Sequence, residues 1–478
     1  MNAGKHEAVI GLEIHVQLRT QSKMFCRCGN RADDAKPNEL TCPVCLGLPG
    51  ALPVPNRTAV EWALKAALAL GCEIPTESKF DRKQYFYPDL PKGYQISQYD
   101  QPLGGPGTFE FDLPEDGQVV TKKIRITRLH LEEDAGKLTH PKGADHSLVD
   151  LNRAGTPLIE IVTEPDFRSP AEAKRFLQEL RRLMRYLGIS DADMEKGHLR
   201  ADANVSLRPS GAKELGTKTE LKNLNSFRFV QRGLEAEIER QAGLLEKGEA
   251  IIQETRGFDE ERGRTTSQRG KEEAHDYRYF PEPDIPPLEP AGLGMETWRS
   301  DIAETPVALV RRLCERGVAA DTAFTITEDR REAEAFIRTA ESHPIEPPEL
   351  AKWWMAFRKS AMPSVEPGAR YDRLGAYIVS AAAQSVPNSQ RKSLLAKSIE
   401  QGKDPSEVVS ADDAFGTVDE AAVASIVDQA IKDNPKPVAD FRAGNGNAKQ
   451  VIVGAVMKAT KGAADAKAIA ALIERKLG

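Results

Sequence analysis

Nowhere in its 478 residues does the chain hold an apolar run of ~20 residues, the length a bilayer span requires. The most apolar stretch, Trp62 to Leu70, is interrupted by Lys65. The N-terminus lacks a basic region followed by an apolar run, so it does not read as a secretory signal. Cysteine is scarce, with 6 residues, which excludes a disulfide-stapled scaffold. A surplus of positive charge is also missing: 66 Lys+Arg stand against 72 Asp+Glu, net −6. Any nucleic acid must therefore be met by a local patch rather than by the whole surface field. There is no Gly-x-x-x-x-Gly-Lys-Ser/Thr loop, no Gly-x-Gly-x-x-Gly after a strand and no Gly-x-Ser-x-Gly elbow. A nucleotide, if bound, is expected on a sheet surface.

What remains is ordinary for a globular protein: 40% hydrophobic and 29% charged residues, and enough length for about three domains. No membrane association is expected, and the clustered reduced thiols point to a cytoplasmic setting.

The organisation changes along the chain. From residue 8 to about 293 the pattern is mostly period two; beyond that it is helical. The Pro-rich stretch from Phe280 to Pro290 reads as an extended connector, and Gly402-Lys-Asp-Pro405 as a second break. The expected fold class is α+β. A largely antiparallel β-sheet cradle with a zinc-stabilised loop (1–293) is followed by an all-helical linker domain (294–407) and a helical tail domain (408–478).

Two strands are plain. Ile10, Leu12, Ile14, Val16 and Leu18 share one face, leaving Glu13, His15 and Gln17 on the other. Leu199, Ala201, Ala203, Val205 and Leu207 oppose Arg200, Asp202, Asn204, Ser206 and Arg208 in the same way. Between them the apolar phase shifts from Ile126 to Leu129, as a bulge requires. Ser169-Pro-Ala-Glu172 reads as a capping box opening a helix that Gly188 ends. Its Arg175, Arg181, Arg182 and Arg185 are expected on a solvated face.

Three constellations could carry chemistry. Cys26-Arg-Cys28 and Cys42-Pro-Val-Cys45 match a structural Zn²⁺ site, which is silent on function because four thiolates leave no open position. Cys72, placed in an apolar helix, and Cys314 read as idle thiols. Glu13 and His15, with Glu132, Glu133, Glu160 and Asp202 near the ends of other strands, put carboxylates and an imidazole on one sheet surface, a set that suits Mg²⁺. A solvated sheet face would give the same pattern. The third is a set of aromatic-basic segments: Asp81 to Tyr87 (with Lys83 and Tyr85), Lys92 to Tyr99, and Glu272 to Phe280, where rings could stack on bases. In the tail, residues 401–434 carry 2 basic and 8 acidic groups, whereas residues 435–478 carry 8 and 3. Lys449, Lys458, Lys461, Lys467, Arg475 and Lys476 there make a plausible phosphate-contacting patch.

Several longer strings are similar to one family. They are Val9-Ile-Gly-Leu-Glu-Ile-His-Val16, Thr41-Cys-Pro-Val-Cys-Leu-Gly-Leu-Pro-Gly50, Tyr94-Gln-Ile-Ser-Gln-Tyr99, Leu129-His-Leu-Glu-Glu-Asp-Ala-Gly136, Gly155-Thr-Pro-Leu-Ile-Glu-Ile-Val162, Asp202-Ala-Asn-Val-Ser206, Glu220-Leu-Lys-Asn-Leu-Asn-Ser-Phe-Arg228 and Lys271-Glu-Glu-Ala-His-Asp-Tyr-Arg-Tyr-Phe-Pro281. The chain resembles the GatB family, the B subunit of the tRNA-dependent amidotransferase. The resemblance implies ATP- and Mg²⁺-dependent phosphorylation of the side-chain carboxylate of Glu-tRNA(Gln), Asp-tRNA(Asn) or both. Ammonia from an amidase (A) subunit, with a small (C) subunit in the complex, then displaces the phosphate. It implies catalytic roles for Glu13, His15, Lys83, Tyr85, Glu132, Glu160 and Asp202. ATP contacts would come from Lys83, Glu133, Arg200 and Asn204, and Mg²⁺ ligands from Glu13, His15, Glu132, Glu133 and Glu160.

Two other readings compete. A zinc-stabilised, non-catalytic RNA-binding protein explains the cysteines and the tail, but not strands that repeatedly set carboxylates opposite an apolar face. A self-sufficient ligase with its own glutaminase lacks a Ser-rich amidase stretch, and neither isolated cysteine has a histidine nearby.

Overall fold

The computed structural model describes residues 5–477 except 116–117, 271–275, 296–297, 300–301, 303, 361, 363–365, 367–368, 385, 387, 412–419, 444, 461–463 and 465. Lys271, His275 and Lys461, named above, lie outside the described residues. The chain forms two compact units, residues 1–309 and 310–478.

In the first unit the order is β1 (His6–Gln17), α1 (Arg57–Ala69), β2 (Asp81–Gln84), β3 (Tyr94–Ser97), β4 (Gly107–Glu115), β5 (Gln118–Glu133), β6 (Lys137–Thr139), β7 (Leu148–Asp150), β8 (Pro157–Thr163), α2 (Pro170–Tyr186), β9 (Leu199–Pro209), β10 (Thr219–Lys222), α3 (Phe227–Glu246), β11 (Glu254–Asp259), β12 (Arg264–Gly270) and β13 (Phe280–Pro281). Eight strands make one sheet in the order β12-β11-β10-β9-β1-β8-β5-β4. Every pairing in it is antiparallel except β10 with β11. The alternation in β1 holds: Ile10, Leu12, Ile14, Val16 and Leu18 are each at most 2% exposed and join one core with residues of α1 and α2. That burial, at ~25 cal/mol per Å², leaves the opposite face free to carry charge. The ladder between β5 and β8 slips at Ile126–Arg128, the bulge that the shift in apolar phase required.

α2 starts as the capping pattern predicts. The Ser169 hydroxyl accepts from the Glu172 N–H at 3.2 Å, but the Glu172 carboxylate reaches one residue further back, to the N–H of Arg168 at 2.6 Å. Of the α2 arginines only Arg185 is exposed as expected; the other three do not form a solvated face. Arg182 is buried and paired with Glu179, Arg175 meets the same carboxylate at 2.8 Å, and Arg181 lies 5.2 Å over the Phe227 ring. Helix α3, packed beside α2, supplies that aromatic partner, a tertiary neighbour no local pattern announces. Cys72 is not in a helix: α1 ends at Ala69, Gly71 turns the chain at φ +67°, and the thiol is buried beyond it.

The Pro-rich stretch is extended but is more than a connector. Phe280–Pro281 adds a third strand to β2 and β3, and Glu282 forms a buried ion pair with Arg82 at 2.7 Å. This small sheet presents β3 to the polar end of β5. The second unit is helical and holds two apolar clusters, one from Leu313 to Val408 and one from Val427 to Leu477. Trp354 centres the first, fully buried, with Nε1 donating to Glu332 at 3.0 Å. No helix among the described residues is long and apolar enough to cross a membrane.

Candidate active site and metal centre

Register brings the titratable groups together. His15 on β1 stands opposite Glu160 on β8, which stands opposite His130 on β5. On the other side, Glu13 faces Asp202 and His15 faces Arg200 across β9. His15 Nε2 lies 3.3 Å from Glu160, 3.6 Å from Glu132 and 3.9 Å from Glu13. His130 Nε2 lies 3.3 Å from Glu160 and 3.6 Å from Glu132. Glu13, His15 and Glu160 offer ligand atoms within 4.8 Å of one another, and so do His130, Glu132 and Glu160. Glu160 belongs to both groups.

Charge here is balanced internally. Burial pushes the Glu132 and Glu160 carboxyls up, but His130, with His15, overrules it and holds both below the usual range, Glu160 well below. Burial disfavours charged His130, yet Glu160 and Glu132 raise it to about 9. His15 is raised by the same carboxylates against the same burial cost. Glu13 is pushed up, first by burial and then by repulsion from Glu160. Three carboxylates and an imidazole converging from three strands are a donor set for a divalent cation.

Around this centre lie cations. Lys83 Nζ sits 4.9 Å over the Tyr277 ring, and Glu132 helps hold its ammonium above the usual range although burial opposes it. Tyr85 stacks beside Tyr87 at 5.8 Å. A cavity of about 360 Å³ is lined by Lys83, Tyr85, Tyr277 and Lys222, and Lys222 donates to Asp202 at 3.2 Å. Two lysines facing one cavity suit phosphate oxygens. Asn204 and Glu13 line a second cavity of about 300 Å³.

Not every candidate converges. Glu133 is held by the half-buried Lys92 ammonium and accepts from the Ile96 N–H at 3.0 Å, away from the His15 group. Arg200 donates to Asp134 at 2.8 Å, where Gln17 donates as well. Sequence reasoning missed His130 and Lys222, and named Lys92 without its pairing to Glu133. His130 was within reach: past the bulge it precedes Glu132 by two residues and so shares its face.

The four cysteines also meet. Cys26, Cys28 and Cys42 place Sγ 3.4, 3.7 and 3.7 Å from Cys45 Sγ. Tetrahedral ligands ~2.3 Å from a zinc ion are ~3.7 Å apart, close to these three separations, and all four sulfurs lie within 4.8 Å of one another, so the donor set fits Zn²⁺. The Cys45 thiol is lowered to about 4 by the Cys26 hydrogen bond, with Lys23 adding to the shift. The loop is stapled to the segment leading into β8. Leu40 N–H donates to Asn152 Oδ1 at 2.8 Å, Asn152 Nδ2 to Lys36 O at 2.7 Å, and Leu151 N–H to Asn38 Oδ1 at 2.7 Å.

Comparison with known proteins gives the family. Residues 8–292 match the model of the GatB/GatE catalytic domain, and residues 340–477 match that of the GatB domain. The B subunit of an aspartyl/glutamyl-tRNA(Asn/Gln) amidotransferase from Brevibacillus brevis is 46% identical over 479 residues, covering 99% of both chains. The proteins of that name from Moorella thermoacetica and Trichodesmium erythraeum are also 46% identical, over 99% of this chain and 100% and 98% of theirs. Matched along nearly its whole length, the chain belongs to the GatB/GatE family of amidotransferase subunits, components of glutamine-dependent carbon–nitrogen ligases.

Proposed function

We propose that the His15 centre is where ATP phosphorylates the side-chain carboxylate of Glu-tRNA(Gln), Asp-tRNA(Asn) or both, preparing it for ammonia. The carboxylate oxygen takes the γ-phosphoryl group and ADP leaves. Ammonia then attacks the acyl carbon, and phosphate departs in place of an oxide that could not. Phosphoryl transfer asks a protein mainly for positioning and charge neutralisation. Glu13, His15, Glu132 and Glu160 would hold Mg²⁺, which would neutralise phosphate charge. Lys83 and Lys222 offset charge from the cavity side, Tyr85 and Tyr277 wall it, and Asp202 orients Lys222. Asn204, on the same strand face as Asp202, would reach outer parts of the nucleotide, whereas Glu133 acts through its pair with Lys92 and Arg200 through its pair with Asp134. The four cysteines would hold a structural zinc. The observation that carries this reading is the convergence of three carboxylates on His15 beside a cavity lined by two lysines. A non-catalytic RNA-binding protein has no use for such a convergence.

The test is transfer of labelled γ-phosphate to misacylated tRNA by the assembled complex, with each tRNA assayed separately. Labelled phosphate released from ATP at the same rate with and without either misacylated tRNA would overturn the assignment. The chain alone is expected to release no ammonia from glutamine, because no amidase stretch is present; it should need the amidase (A) and small (C) subunits. Glutaminase activity in the purified single chain would overturn that.

In the same reading, residues 1–293 form the cradle, 294–407 a helical domain and 408–478 a tail that grips the tRNA body. Part of the tail's charge is internally engaged: Lys449 pairs with Glu474 and Lys476 with Asp428. Deleting residues 408–478 should raise KM for tRNA several-fold. It should also flatten the salt dependence of binding by roughly one log unit per log salt for each phosphate no longer neutralised. An unchanged slope would remove the tail from the interface.

A further inference from the structure

Lys23 is the odd residue beside the zinc loop. Its side chain is 0% exposed, so all three ammonium N–H groups must find partners inside the protein. Nζ donates to Leu40 O at 2.7 Å, to Leu151 O at 3.3 Å and to Cys45 Sγ at 3.5 Å. Among the described residues no carboxylate pairs with it. The residue cannot swing away, because its own N–H donates to Cys28 O at 3.0 Å and Asn56 Nδ2 donates to its carbonyl at 3.2 Å.

An ammonium held by two neutral carbonyls in a dry site is an uncompensated charge, which proteins seldom tolerate. Four thiolates around a Zn²⁺ have the opposite defect, a surplus of two negative charges. Each defect answers the other. Hydrogen bonds to ligand sulfur also orient the ligand and set how strongly the metal is held.

We propose that Lys23 is an integral part of the zinc centre, the buried cation that donates to the Cys45 sulfur and offsets one of the cluster's two surplus charges. The proposal rests on zinc occupying the four cysteines. It goes further in making zinc affinity depend on a residue that is not a ligand. It also explains why Lys23 spans Leu40 on the zinc loop and Leu151 before β8: the ammonium ties the cluster to the segment that leads into the strand bearing Glu160.

The experiment compares wild type with Lys23→Met and Lys23→Gln, the first keeping most of the length of the side chain and the second a neutral donor. Zinc affinity is measured on the full chain by competition with a chromophoric chelator. The Co²⁺-substituted proteins give the thiolate-to-metal absorption bands, and melting is followed with and without zinc. Both variants are expected to bind zinc 10–100-fold more weakly than wild type and to show shifted cobalt bands. Their zinc-free forms should melt no earlier than zinc-free wild type, since they have lost a buried charge with no counter-charge. Zinc affinity within twofold of wild type would overturn the proposal. So would an equal fall in melting temperature with and without zinc, or failure of both variants to fold, because each would make Lys23 a scaffold residue. A wild-type chain that takes up no zinc would instead remove the zinc reading itself.

Discussion

Glu13→Ala is expected to lose roughly 10²–10³-fold in ATP-dependent phosphoryl transfer, the several kcal/mol a metal ion supplies to a transferring phosphoryl group, while melting at the wild-type temperature. Its side chain is 38% exposed on the polar face, so none of the packing of Ile10, Leu12 and Ile14 is disturbed. Its removal also relieves crowding with Glu160 and Asp202. Glu160→Ala should lose the same activity for a different mixture of reasons. That carboxylate is 5% exposed and lies within 4 Å of His15, His130 and Arg128, so deleting it strands cations in the middle of the sheet. Loss of one partner from such a buried cluster costs about 3–5 kcal/mol, and a lower Tm should accompany the lost activity. Asp202→Ala should sharply lower transfer by removing one of the two carboxylates that hold Lys222 at the cavity wall, the other being Glu220 at 3.3 Å, with little change in melting. The assays are γ-phosphate transfer and a thermal melt side by side. Near-normal transfer in Glu13→Ala would move the ion elsewhere, and early melting of that variant would make Glu13 a structural residue.

Cys45→Ser should have the largest effect on stability. Its sulfur lies within 3.7 Å of the other three and accepts from Lys23, so it is the hub of the cluster. Zinc bound to the native but not to the unfolded chain contributes its binding energy to folding. If only about 4 kcal/mol of that reaches the first unit, Tm falls by roughly 6 °C. The damage should not stay local. Residues 36–40 are stapled by side-chain hydrogen bonds to 149–152, the lead-in to β8, so phosphoryl transfer should fall with zinc content. Metal analysis, melting and limited proteolysis across residues 27–44 check this together. Protein purified without chelator that contains no zinc, or a Cys45→Ser variant with unchanged Tm and protease resistance, would rule it out.

The sequence by itself determined the strands, the faces and the ligand types. Period-two alternation is a local property, so β1 and β9 could be read residue by residue, as could the capping serine of α2 and the bulge in β5. Two close cysteine pairs in one short loop also speak for themselves, because little chain separates them. Tertiary structure decided which polar groups actually meet. That Glu160 stands between His15 and His130 depends on register across three strands far apart in the chain. Periodicity says which face a side chain occupies, never what lies opposite. For the same reason a local pattern misplaces three of the four α2 arginines: beside Glu179, Arg175 meets the Asp112 carbonyl of β4 and Arg181 the Phe227 ring of α3. Glu133 and Arg200 look like site residues on a strand diagram, but Lys92 and Asp134 claim them in three dimensions. Lys23 is an ordinary lysine in the sequence. Only folding closes it off from water and sets its ammonium against a cysteine sulfur, because burial is a property of the whole packed chain and not of any stretch of it.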